Sequence, residues 1–153
     1  MIDPILDIFS NVHGYTGAAL EPSVSVAGAD LSFADLDSAD LAASTLKNAN
    51  LTSTDLDHSD LSLSDLTGAV MAETTLRFAV LSGAQLDGAD LSGAQLASAS
   101  GLALTTGIAF YDLFTDFTGT GFDPVAAGWT LVPEPSTALL MGLGLAGLAS
   151  RRR

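Results

Sequence analysis

From Leu31 onward a long aliphatic side chain recurs at every fifth residue: Leu31, Leu36, Leu41, Leu46, Leu51, Leu56, Leu61, Leu66, Met71, Leu76, Leu81, Leu86, Leu91 and Leu96. Two residues before each stands a small side chain, from Ala29, Ala34 and Ala39 through Ser44, Thr54, Ser59, Ser64 and Thr74 to Ala84, Ala89 and Ala94. The series runs without a slip of phase. No ordinary element has this period. On an α-helix each step of five would advance the Leu by about 140°, so the apolar residues would spiral over every face. On a flat strand an odd step sends alternate Leu to opposite faces. The pattern requires a chain that turns a corner once per unit, so that every Leu, and the small residue two before it, points to a common axis. Repeats of this kind cannot bury a face alone and stack into a solenoid.

The units read Ala-Asp-Leu at 29–31, 34–36, 39–41 and 89–91, and Ala-Asn-Leu at 49–51. They resemble the pentapeptide-repeat family, whose motif is A(D/N)Lxx. The resemblance implies an all-β fold, a right-handed quadrilateral β-helix with four units per coil and about 3.5–4 coils in this chain, to which the sequence adds a C-terminal apolar helix. Residue n then stacks on residue n+20, giving columns such as Leu31, Leu51, Met71, Leu91 and Leu41, Leu61, Leu81. Thr54 falls on Thr74 and Ser44 on Ser64. Buried hydroxyls need partners, and backbone carbonyls at the corners would supply them; tolerated drift among small residues is the other reading.

Asp or Asn repeatedly precedes the central Leu, pointing outward. Stacking places Asp35 over Asp55 and Asp40 over Asp60, about 5 Å apart. Two readings follow: these four carboxylates are candidate calcium ligands bridging coils, or they form a solvated row whose oxygens bond to the turn backbone. Val70 and Val80 replace the acid with an apolar group beside Met71 and Phe78, as a contact strip or a cross-coil apolar pair.

With 18 acidic and 5 basic residues the net charge is -13, the wrong sign for holding phosphates, so no nucleic-acid partner is expected. There is no Cys, hence no disulfide frame and no thiol chemistry. The expected organisation is an N-terminal cap over 1–23, the β-helix over 24–100, an aromatic-rich cap or linker over 101–131 and a sorting signal over 132–153. Asp3 before Pro4 suits a helix start, and Ile5, Leu6, Ile8 and Phe9 suit a lid over the first coil, which should begin near Val24. At Ser100–Gly101 the phase ends. Phe110, Tyr111, Phe114, Phe117, Phe122 and Trp129 then crowd into one stretch, read as a lid over the far end or, alternatively, as a carbohydrate-stacking patch.

The C-terminal stretch is of a different kind. Pro133-Glu134-Pro135 precedes an uncharged apolar run over 137–149, and Arg151, Arg152 and Arg153 follow. As a helix that run would be about 20 Å long, short for a bilayer core. The Pro-Glu-Pro, the absence of charge, the small Gly residues and the basic cluster nonetheless favour a membrane segment with the Arg cluster cytoplasmic. The three parts in order resemble the PEP-CTERM sorting signal of Gram-negative bacteria. That resemblance implies an exosortase-type processing enzyme as partner, cleavage near the Pro-Glu-Pro, and export to the cell envelope or beyond in association with extracellular polysaccharide and biofilm. No secretory signal peptide is visible, since Lys47 is the first basic residue; export then requires a start upstream of Met1 or another route.

Catalysis is not expected. His13 and His58 are the only histidines, no nucleophile motif surrounds any Ser, and Gly142, Gly144 and Gly147 lie in an apolar run with no strand before them. No cofactor and no metal centre is expected beyond the four carboxylates above. The sequence thus supports a non-enzymatic exported structural or interaction protein. Its alternatives are an acidic DNA mimic binding DNA gyrase, as some pentapeptide-repeat proteins do, and a calcium-dependent surface adhesin.

Overall fold

The computed structural model describes Leu6–Asp7 and residues 20–133. Its body is a β-helix in which the chain climbs by one rung every twenty residues. The rungs are joined by parallel bridges from Ser25↔Thr45 and Asp30↔Asn50 up to Val80↔Ser100, each pair twenty residues apart. In each inner unit the Leu N–H donates upward, as from Leu31 to the Asn50 carbonyl at 2.8 Å, while the residue before it donates downward, as from Asn50 to the Ala29 carbonyl at 2.9 Å. Each side of a rung is thus too short to form an extended strand but long enough to close one bridge.

The corners share one construction. The N–H of the small residue bonds back to the carbonyl of the Leu three before it, Ala34 to Leu31 at 3.1 Å and Ala49 to Leu46 at 3.0 Å among others. The residue two after each Leu has positive φ, from Gly28 and Phe33 through Leu63 and Gly68 to Gly93 and Ser98. A four-residue turn with positive φ at its third position is the geometry of a type II turn. A turn thus recurs every five residues while bridged residues lie twenty apart, so four turns fall within each rung.

All fourteen central residues point inward. The ten from Leu31 to Leu76 are fully buried except Leu36 at 6%, and Met71 fills its place in the column with no exposure. Burying each Leu contributes on the order of 2 kcal/mol. The small inward residues form a second set of columns and meet the requirement on buried hydroxyls. Thr54 donates to the Leu31 carbonyl at 2.8 Å, Thr74 to Leu51 at 2.6 Å, Ser59 to Leu56 and Ser64 to Leu61 at 2.7 Å. Carbonyl acceptance therefore explains these side chains. Threonine reaches the rung below, whereas these two serines close onto their own turn.

In the first rung Val26 donates to the Thr45 carbonyl and Ser23 to that of Ala42. Below it lies β1, Leu6–Asp7, paired antiparallel with β2, Ala34–Asp35, in the register Leu6↔Asp35 and Asp7↔Ala34. The helix expected after Asp3 and Pro4 is not what Leu6 and Asp7 form. The open rung presents unpaired backbone groups, and an extended segment satisfies them where a helix cannot.

Beyond Ser100 the ladder continues with altered side lengths. The bridges Val80↔Ser100, Gln85↔Thr106, Asp90↔Phe110 and Gln95↔Asp116 divide the next rung into sides of six, four and six residues. A 3-10 turn at Leu102–Leu104 absorbs the first extra residue. β3, Phe110–Tyr111, then pairs parallel with β4, Thr130–Leu131. Tyr111 and Trp129 are buried, and Phe117 and Phe122 pack against the same core. Phe117 sits centrally, 5.8 Å from Tyr111, 5.8 Å from Phe122 and 6.0 Å from Trp129 between ring centres. These large rings fill the space that a further layer of Leu would occupy, so Ser100 marks a change of register, and the aromatic segment is both the last rung and its plug.

Candidate functional site

The outward acids are held by the turns that they precede. Asp35 accepts from the backbone N–H of Asp37 at 3.3 Å, Asp40 from Ala42 at 3.2 Å, Asp55 from Asp57 at 3.1 Å and Asp60 from Ser62 at 2.8 Å. Asn50, Asp65 and Asp90 do the same with Thr52, Thr67 and Ser92. This is an Asx turn built into the corner, and it explains why Asp and Asn recur there. The Thr67 hydroxyl and N–H, with a contribution from the Lys47 charge, hold the Asp65 carboxyl below the usual carboxylate range.

The four carboxylates singled out from the sequence are indeed bridged as Asp35↔Asp55 and Asp40↔Asp60. Elsewhere the same columns alternate chemistry: Asp30, Asn50, Val70, Asp90 on one side and Asp55, Thr75, Gln95 on another. Asn50 donates to Asp30 across the rungs at 3.0 Å, and Thr75 to Asp55 at 2.8 Å. Like charges therefore meet in few places, and neutral donors separate the rest. Among the described residues no group of three or more His, Cys, Asp or Glu is placed to hold a metal ion. Val70 is bridged to Asn50 and Asp90, and Val80 to Asp60 and Ser100, so the two replacements sit in different columns.

An ion pair escaped the sequence reading. Asp57 lies below Arg77, accepting the Arg77 backbone N–H at 2.9 Å and its Nε–H at 2.7 Å. Burial pushes the Asp57 carboxyl up, but the Arg77 hydrogen bonds, with the Thr75 hydroxyl, outweigh it and hold the group below its ordinary value. The interval of twenty between Asp57 and Arg77 was the available signal. One residue further on, His58 stacks on Phe78 with ring centres 5.1 Å apart and planes 5° apart. Both Asp57 oxygens serve Arg77, so His58 is not oriented by its acidic neighbour. His13 lies outside the described residues.

The sorting region is reached at the edge of the structure. Among the described residues Val132 makes the last ladder bond, to the Tyr111 carbonyl at 2.7 Å, and Pro133 follows, exposed. Glu134, Pro135, the apolar run over 137–149 and Arg151, Arg152 and Arg153 lie outside the described residues. Among the described residues no helix is long and apolar enough to cross a membrane.

A rod of five-residue turns with a Leu axis and Asx corners defines a class of solenoid, and comparison with known proteins agrees. Residues 27–62 and 64–100 match the pentapeptide repeats model in eight copies, and residues 131–153 match the PEP-CTERM protein-sorting motif. A pentapeptide repeat protein from the cyanobacterium Cyanothece 51142 is 34% identical, with a TM-score of 0.59 over 69% of this chain and 70% of its own. One from the Arabidopsis thaliana thylakoid lumen is 27% identical, with a TM-score of 0.61 over 74% and 78%. No curated protein sequence matches. The chain belongs to the pentapeptide-repeat family and carries a PEP-CTERM sorting motif at its C-terminal end.

Proposed function

We propose that this protein is a non-enzymatic structural module, exported and delivered to the cell envelope or beyond through its PEP-CTERM motif. The observation that carries the reading is the match of residues 131–153 to the sorting motif, which starts where Val132 makes the last ladder bond among the described residues. In this reading residues 137–149 form an apolar helix in the membrane, Arg151, Arg152 and Arg153 stay on the cytoplasmic side, and an exosortase-type enzyme cuts near Pro133, Glu134 and Pro135. The body is a right-handed, four-sided rod, a geometry supported by four like turns per twenty-residue rung. It would stand as a stiff acidic element at the surface or among extracellular polysaccharide. Its outward acids secure corners, which supports a structural role over a gyrase-binding DNA mimic or a calcium-dependent adhesin.

Intact mass of the protein recovered from cell-surface material tests the reading. The expected mass lacks everything after the Pro133–Ser136 region, and the Glu134→Ala, Pro135→Ala variant should accumulate uncut. A surface form that still carries Arg153 in the unaltered protein would refute processing.

A further inference from the structure

Eight of the large apolar side chains exposed among the described residues come from 104–132: Leu104, Ile108, Phe110, Leu113, Phe114, Val125, Leu131 and Val132. Four of them, Leu104, Ile108, Leu113 and Phe114, lie at turns of the rung that follows Ser100. Leu104 follows the side that ends at Ser100, Ile108 lies above the Gly88 corner, and Leu113 and Phe114 lie above the Gly93 corner. The corresponding corners of the rung below carry Gly83, Gly88 and Gly93. Phe33, Leu63, Val70 and Phe78 are exposed singly along the rest of the rod, so the apolar belt is densest at this end.

The acids of this end are turned into its turns. Asp112 accepts from the N–H groups of Gly93, Phe114 and Thr115, Asp116 from Thr118, and Asp123 from Val125 and Ala126. Pro133, which precedes the remainder of the sorting motif, lies at the same end. Four Cα steps separate Pro133 from Thr137, the first residue of the uncharged run, a reach of about 14 Å at full extension.

We infer that before processing the last rung rests on the lipid surface, with Leu104, Ile108, Leu113 and Phe114 in contact with the interface of an uncharged bilayer. The inference builds on the proposed membrane segment at 137–149, which places this end within a short tether of lipid. Apolar and aromatic groups at the end of a tethered body lower its free energy at the headgroup boundary. The net charge of -13 opposes approach to anionic lipid, so the favoured surface is zwitterionic. The contact would hold the rod upright and keep the Pro133–Pro135 segment at the membrane face.

The chain contains no Cys, so single labels can be placed cleanly in the full-length protein. An environment-sensitive fluorophore is attached at Leu104→Cys, Leu113→Cys, Phe33→Cys or Leu143→Cys, and each protein is reconstituted in vesicles of phosphatidylcholine with brominated acyl chains. Phe33 is an exposed side chain on the same corner as Leu113, four rungs or about 19 Å away. Loss of fluorescence at Leu143, Leu104 and Leu113, with Phe33 unquenched, is the expected result. Quenching at Leu143 with Leu104 and Leu113 as bright as Phe33 overturns the lipid contact and leaves the membrane segment standing. A bright Leu143 removes the membrane segment and this inference with it. Quenching at all four positions would mean a rod lying flat, and excimer emission between labels at Leu113 without lipid quenching would mean that a second copy covers the belt; either overturns the inference.

Discussion

At the scale of single residues, the corners decide which side chains are tolerated. Gly88 and Gly107 both have positive φ, at 70° and 88°. A Cβ on Gly88 would come no closer than 4.0 Å to the Gly68 Cα, whereas one on Gly107 would lie 2.6 Å from the Asp87 Cα. Gly88→Ala should therefore cost only the left-handed penalty of about 1 kcal/mol, and Gly107→Ala distinctly more, because the four-residue side from 106 to 110 draws the backbone against the rung below. Urea unfolding of the two variants checks the order. The Asp57–Arg77 pair predicts a pH dependence. The folded Asp57 carboxyl lies below its ordinary value of 3.8, so the unfolded chain takes up the proton first as pH falls. The pair's contribution is complete above that value and disappears as pH drops through the folded pKa. Arg77 is half-exposed, so the contribution is held to about 1 kcal/mol or less. The destabilisation caused by Arg77→Gln at neutral pH should shrink toward zero well below pH 3.8; an equal loss at both pH values would show that the pair acts through packing alone.

At the scale of elements, each side of a rung is held by its neighbours above and below, and the ends need separate solutions. β1 covers the first rung at Ala34–Asp35. A chain lacking residues 1–19 should expose that edge and associate in a concentration-dependent manner, read by sedimentation against the full-length protein. A truncated chain that sediments at the same mass across concentrations would show that the edge needs no partner. The far end is closed by rings, and the packing of Phe117 against Tyr111, Phe122 and Trp129 accounts for the concentration of aromatics after residue 108. From composition the stretch is read as a lid or a carbohydrate-stacking patch. Neither reading includes the continuing ladder, because sides of six, four and six residues leave no fixed period to read.

At the scale of the whole molecule, the bridges between rungs join residues twenty apart through most of the ladder, so stability is a sum over neighbouring rungs. Hydrogen exchange should be slowest for amides of the middle rungs, such as Leu61 and Val80, and faster toward Val26. Leu61→Ala, in a column with Leu41 and Leu81 on either side, should cost about 3 kcal/mol and speed exchange most strongly in the adjoining rungs. Uniform acceleration from Val26 to Leu96 would instead show a single cooperative unit.

The inward Leu, the small residues beside them, the interval of twenty between stacked residues and the turn-bound Asp were all legible in the amino-acid sequence, because each follows from a local unit repeated without interruption. The Gly at positions 28, 68, 83, 88 and 93 carry a trace of the positive φ at the corners that the sequence reading did not use, and Phe33, Leu63 and Phe78 obscure it. The tertiary structure alone decided the antiparallel return of Leu6–Asp7 to Ala34–Asp35, the six-four-six rung and the apolar belt around it. These features lie where the repeat stops, and there a residue's partner is chosen by the shape of the open end, which no periodicity encodes.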